Sequence, residues 1–235
     1  MADSVALNAL AEEICACQCC GLYKTATHAV PGEGDPHAQI MFIGEGPGFN
    51  EDQTGRPFCG ASGQFLTQLI TSIGLKREDV YITNIVKHRP PGNRDPLPEE
   101  IEACKPWLDK QLEIIKPKII VTLGRYSMAR FFPGVTISRI HGQSQKCGEY
   151  TCFAMYHPAA ALHQGNLRAT IQEDILKLPK ILEDMKKREQ PTPNPTRAPT
   201  PASATKPTQS TQAESIASKP GSQQEGARQL NLFSF

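Results

Sequence analysis

No apolar run approaches the roughly 18 residues that a membrane-crossing helix needs, so no segment is expected to span a bilayer. The first residues, MADSVALNALAEEICAC, carry acids where a signal peptide carries a basic stretch, so export is not expected either. Charge of neither sign dominates. The chain has 25 Lys+Arg against 24 Asp+Glu, a net +1, so nucleic acid is not attracted globally and only local patches can do that work. Aromatic residues are 6% and hydrophobic residues 39% of the chain, too few for all 235 residues to share in a core. Three familiar signatures are missing as well. There is no G-x-G-x-x-G turn, no Gly-Lys-Ser/Thr phosphate loop and no second C-x-x-C to join Cys17-x-x-Cys20. Their absence excludes a dinucleotide fingerprint, a P-loop and a zinc site made of two cysteine pairs.

Proline is abundant instead, and unevenly placed. From Gln190 to Arg228 there are seven prolines, no aromatic residue and one large aliphatic, Ile216. Such a stretch cannot bury enough surface to offset the entropy of ordering it, so residues 190–228 are expected to form a disordered linker. Apolar side chains return at residues 229–235, QLNLFSF, a short bait at the end of a tether. Residues 1–189 are expected to fold as one domain, with no internal repeat. The chain has eight cysteines and no export signal, which suits a reducing cytoplasm, where grouped thiols read as metal or cluster ligands.

Within the folded part, Gln39–Gly44, Val80–Asn84, Lys118–Leu123 and Cys152–Tyr156 read as strands. The first three are short, apolar and bounded by turn residues, as buried parallel strands are. Helices are expected at Ser4–Cys15, Ala61–Ile73, Glu99–Ile115, Arg125–Phe131 and Leu167–Lys187. Strands alternating with helices imply an α/β fold, a three-layer α/β/α sandwich around a short parallel sheet. Ligands of such sheets bind beyond the carboxyl ends of the strands.

Chemistry-bearing residues follow three of those strands. After the first comes Gly44-Glu45-Gly46-Pro47-Gly48 with Glu51 and Asp52: either a backbone that lets a ligand come close, flanked by acids, or a tight turn with solvated acids. Asn84 ends the second strand. It either caps the local turn or offers a donor and an acceptor side by side, a match for an imide edge such as uracil N3–H and O4. His157-Pro158 follows the fourth strand, where an imidazole can donate to a developing oxyanion. Cys15, Cys17, Cys19 and Cys20 crowd the end of the first helix, while Cys59, Cys147 and Cys152 are scattered and read as ordinary thiols.

Taken in order, these segments resemble the uracil-DNA glycosylase superfamily, specifically its iron–sulfur family 4. The matching residues are Cys17-x-x-Cys20-x-Leu22, Gly32-Glu-Gly34, Gly44-Glu-Gly-Pro-Gly48, Glu51-Asp52, Thr54-Gly-Arg-Pro-Phe58, Tyr81-Ile-Thr-Asn84-Ile-Val-Lys87, Arg89-Pro-Pro91, Asn93-Arg94, Cys104 and His157-Pro158. The resemblance implies a four-stranded parallel sheet and hydrolytic removal of uracil from DNA in base excision repair. It implies that Phe58 stacks on the flipped uracil, Asn84 reads its N3–H/O4 edge and His157 stabilises charge at O2. The Gly44, Gly46 and Gly48 backbone would contact base and water. Relatives carry an Asp where this chain has Gly46, which leaves Glu45 or Glu51 to handle the water. A [4Fe–4S] cluster is implied at Cys17, Cys20, His88 and Cys104. His88 stands where the family has a cysteine, and imidazole ligates iron in Rieske centres. Cys15 or Cys19 as the substitute thiol, or a labile or absent cluster, are the alternatives.

Ala159 replaces the family's usual Ser after His-Pro. A related branch forms covalent adducts through a His in an extended loop, but Pro90–Pro98 is short and has no His, which favours hydrolysis. DNA is expected to meet Lys87, Arg89, Arg94, Arg139, His163 and Arg168, with Leu162 wedging into the gap left by the flipped base. At the terminus, Gln229, Leu230, Leu232 and Phe233 resemble the pentapeptide by which bacterial repair proteins dock on the sliding clamp. The expected protein is a cytoplasmic, nucleoid-associated monomer. The other functional readings are a catalytically weak iron–sulfur damage-binding module and a glycosylase for another damaged base.

Overall fold

The computed structural model describes residues 2–189. The linker at 190–228 and the clamp-like Gln229, Leu230, Leu232 and Phe233 lie outside the described residues. In chain order the elements are α1 (Ala2–Cys15), β1 (Glu33–Gly34), β2 (Ile40–Gly44), α2 (Phe49–Thr54), α3 (Ala61–Ser72) and β3 (Tyr81–Asn84). Next come α4 (Pro98–Ile115), β4 (Ile119–Leu123), α5 (Arg125–Phe131), α6 (Ile137–Ile140), β5 (Ser144–Cys147) and β6 (Tyr150–Met155). Last are α7 (Ala160–His163), α8 (Gly165–Ile175) and α9 (Leu178–Glu189).

The sheet runs β1-β3-β2-β4-β6-β5. The four strands read from sequence are its parallel centre, and β1 and β5 add short antiparallel edges that make the sheet six-stranded and mixed. The central strands are apolar throughout because both of their faces are covered. Met41 and Ile43 point to one face, packing with Leu108 and Leu112 of α4 and Met128 of α5. Ile40 and Phe42 point to the other, with Phe65, Leu66 and Leu69 of α3 and Ile171 and Ile175 of α8. This is the α/β/α sandwich. Each fully buried side chain of this size contributes about 1.5–3 kcal/mol over its exposed state.

One expected helix is two. The run 167–187 breaks between α8 and α9 because Pro179 has no N–H to give the carbonyl four residues back, and its ring crowds that turn. It sits instead in the first turn of α9, where no donor is required. A short helix that the sequence reading passed over, α2, begins at once after the glycine loop, and its C-terminus is closed by Gly55 in the left-handed region at φ 70°.

Candidate active site

Register places the first site residues. Gly44 pairs with Asn84 across the carboxyl ends of β2 and β3. Two residues past the end of β6 stands His157. Together these strand ends open a cleft of ≈ 310 Å³, lined among others by Glu45, Gly46, Gly48, Glu51, Phe58, Asn84 and His157. Every cleft residue expected from the sequence lies on it except Gly44, which lies under it. A Cβ on Gly44 would stand 2.4 Å from Asn84 Oδ1 and 2.6 Å from Phe58 Cζ, so only glycine lets the amide and the ring approach this closely. Sequence reading missed Ser62, which had no motif to mark it, gave Asn93 only as part of a longer match and Arg94 as a DNA contact; all three line the cleft.

Asn84 is 1% exposed, and its Oδ1 is a buried side-chain acceptor without a hydrogen-bond partner. Leaving such an atom unpaired costs about 1–3 kcal/mol. Phe58 stacks on His157, ring centroids 5.6 Å apart at 27°. Its φ of 48° is unusual for an aromatic residue and is held by its surroundings. Gly63 makes room for the Phe58 carbonyl, since a Cβ there would stand 1.8 Å from that oxygen. Arg77 anchors the same loop from behind, donating to the Pro57 carbonyl at 2.5 Å and to Glu33 of β1 at 2.7 Å.

His157 has a defined tautomer. Its Nδ1 accepts the Ala159 amide at 3.1 Å, so the proton of the neutral ring sits on Nε2. Burial holds its pKa down to about 4, opposed by the charge of Glu51, so the ring is neutral above that pH. The backbone of Ala159 thus orients the imidazole whatever its side chain.

The two acids differ. Glu51 Oε1 accepts the amides of Cys59 and Gly60, each at 3.0 Å, and its Oε2 accepts the amide of Gly48 at 3.1 Å. It ties the glycine loop to the loop that carries Phe58. Glu45 carries no such clamp. Burial, then the charge of Asp95, pushes its pKa up to about 7 against the pull of Arg125, which pairs with Asp95 at 2.5 Å. Asp52 is structural: it accepts the Thr27 amide at 2.8 Å and the Thr27 hydroxyl at 2.9 Å. The missing Asp is not simply restorable, because a Cβ on Gly46 would stand 2.7 Å from Val86 Cγ2.

The cations need one correction. Lys87, expected to meet DNA, is fully buried and donates to Thr83 Oγ1, the Asn84 carbonyl and Gln111 Oε1 at 2.7, 2.8 and 2.7 Å. None of these acceptors carries charge. Arg94 is held by both carboxylate oxygens of Glu100 and Arg89 by Asn93 Oδ1, while Arg139, His163 and Arg168 are exposed.

On the α4 flank, Cys17 is buried at the end of α1 and its Sγ accepts the Trp107 indole N–H at 3.2 Å. Cys104 lies one turn before Trp107 on α4. Burial pushes its thiol up to about 11, with the Cys20 and Cys17 thiols acting in the same direction and Lys87 against them. His88 is buried, its pKa lowered by burial, and shares a hollow with Cys17. As placed, no three His, Cys, Asp or Glu side chains among the described residues close on one point as ligands of an ion would. The chemistry nevertheless suits an electron-poor metal centre. The set is three neighbouring thiols and a neutral imidazole beside the buried Lys87, whose pKa burial lowers to about 7 and whose side chain has only uncharged acceptors.

Comparisons with known proteins place the chain in a family. A family profile described as the uracil DNA glycosylase superfamily matches residues 31–178. The chain is 51% identical over 182 residues to a protein of Sulfurisphaera tokodaii named type-4 uracil-DNA glycosylase, covering 73% of this chain and 83% of that one. Proteins of the same name from Saccharolobus solfataricus and Archaeoglobus fulgidus are 47% identical over 186 residues and 46% identical over 181. They cover 75% and 73% of this chain, and 86% and 91% of their own lengths.

Proposed function

Because the chain belongs to the uracil DNA glycosylase superfamily, we infer that it excises uracil from DNA by hydrolysing the N-glycosidic bond and leaves an abasic site. The observation that carries the reading is the unpaired, buried Oδ1 of Asn84 at the cleft. Uracil N3–H supplies the donor it lacks, and the Asn84 amide donates to O4. Cytosine offers an acceptor at position 3 and an amino group at position 4, so it would meet both atoms wrongly. The target base reaches the cleft by leaving the helical stack, at a cost of a few kcal/mol that is least in a mispair.

In the proposed mechanism Phe58 stacks on the extruded base. The C1′–N1 bond breaks, and its electron pair goes to the uracil ring. His157 Nε2–H donates to O2 where the negative charge collects; a preorganised donor of this kind contributes about 10²–10³-fold. Glu45 as carboxylate holds a water against the oxocarbenium-like sugar and takes its proton as oxygen bonds to C1′. Glu51 positions Phe58 and Gly48 rather than acting on the water.

Cys17, Cys20, His88 and Cys104 would hold a [4Fe–4S] cluster, which when bound ties the end of α1, the β3 loop and α4 together. The residues Gln229, Leu230, Leu232 and Phe233 would dock on a sliding clamp, raising the enzyme's local concentration at DNA without fixing its orientation. Incubating the full chain with a single-uracil oligonucleotide, followed by hot alkali, tests the activity. Strand scission at uracil alone, lost in Asn84→Ala, is expected, and uncut DNA with the wild-type chain would refute it. Iron and sulfide content of His88→Ala, expected to fall, tests the ligand set. Retention on immobilised clamp, lost on deleting residues 229–235, tests the docking peptide.

A further inference from the structure

Phe49 is 56% exposed, although it follows Gly48 at the edge of the cleft. One face of its ring is covered by the Arg89 guanidinium, 5.1 Å from the ring centroid. That guanidinium is itself fixed: its Nε donates to Asn93 Oδ1 at 2.7 Å and its Nη1 stands 4.0 Å from Asp52 Oδ2. Asn93 and the neighbouring Pro90 line the cleft. The result is a braced aromatic on the rim, backed on one side and open on the other. On the β6 side of the cleft, next to Ala159, α7 exposes Leu162, 45% accessible. Both exposed apolar side chains thus lie within three residues of cleft-lining positions, Gly48 and Ala159.

We propose that Phe49, held by Arg89, is a stacking platform for the nucleobase adjacent to the flipped uridine. The inference rests on the glycosylase reading and adds a DNA contact outside the base pocket. Three features favour a nucleobase as the occupant. The platform continues the cleft that takes a base. Arg89 leaves the ring's second face for a third layer. A flat π-surface meets any base with little regard to its identity. A platform fixed in advance loses little side-chain freedom on binding. Arg89 thereby becomes a positioning residue rather than a phosphate contact.

The test uses the full chain and an oligonucleotide carrying 2′-fluoro-2′-deoxyuridine, which resists hydrolysis, with 2-aminopurine on its 5′ or its 3′ side. Phe49→Ala and Phe49→Leu are expected to bind about tenfold more weakly than wild type and to lose the 2-aminopurine quenching on one side. Phe49→Trp should keep both. Competition by free uracil against binding of this oligonucleotide should be the same in all four proteins, which a collapsed cleft would not allow. The proposal is overturned if Phe49→Leu binds as wild type, if quenching on neither side depends on Phe49, or if Phe49→Ala loses competition by free uracil in step with DNA binding. The assay needs no turnover. A wild-type chain that left uracil in place would therefore refute the glycosylase reading while the quenching still decided the platform.

Discussion

Glu45 and Glu51 stand six residues apart and border the same cleft, yet the fold treats them in opposite ways. Glu51, in the first turn of α2, is surrounded by donors: three backbone amides take both of its oxygens. Glu45, just past β2, is desolvated without such compensation, and its pKa sits near 7. A carboxylate saturated with amides is a strut. One whose ionisation is suppressed retains basicity to spend on a water near neutral pH. The same side-chain chemistry serves scaffold or reaction according to what the backbone aims at it.

Exchanging the acids breaks or sharpens that contrast. Glu45→Gln should lower kcat by about 10²–10⁴ with little change in KM, measured by uracil release. A comparable loss confined to Glu51→Gln would reverse the assignment. Glu51→Gln keeps one accepting oxygen but turns an NH2 toward the amide donor or donors that the other oxygen served, and should destabilise the fold by about 1–3 kcal/mol in a urea melt. Its kcat should fall about tenfold through the displaced Phe58, and its pH profile should stay that of wild type.

The wild-type rate should rise with pH through about 7 as Glu45 ionises, and Glu45→Gln should flatten that limb. His157 titrates near 4 and leaves no mark above that pH.

The smallest effect is in stability. Burial raises the folded pKa of Glu45 from the ordinary 4.5, so the native state binds a proton more tightly than the unfolded chain. Stability is therefore fully present below about 4.5 and declines as pH rises toward 7. Glu45→Gln escapes this decline. Its melting temperature should match wild type at pH 4 and exceed it at pH 8 by on the order of 2 °C. Equal melting temperatures at pH 8 would mean that Glu45 is as well solvated as any surface acid.

The contrast between the acids could not be read from sequence, because the partners of Glu51 are main-chain amides that carry no letter. Asn84 was legible for the opposite reason: a polar residue ending an apolar strand has few uses besides reading a ligand or capping a turn. The central strands were legible because burial on both faces makes them continuously apolar. The edges were not: β1 is Glu-Gly and β5 is Ser-Gln-Lys-Cys, without an apolar period of any kind. Lys87 misled for a related reason. A lysine beside arginines looks like surface charge until its strand is seen to end inside the molecule, where Thr83 and Gln111 receive it.

The chain contains one tryptophan, and its indole N–H points at Cys17 Sγ. Intrinsic fluorescence excited at the indole band therefore comes from a single emitter in contact with a thiol. Iron loading, oxidation or alkylation at that sulfur should change its brightness without any label. Uracil filling the cleft at the strand ends should leave it dark or bright as before. The protein carries its own optical gauge for one flank, and that gauge is blind to the other.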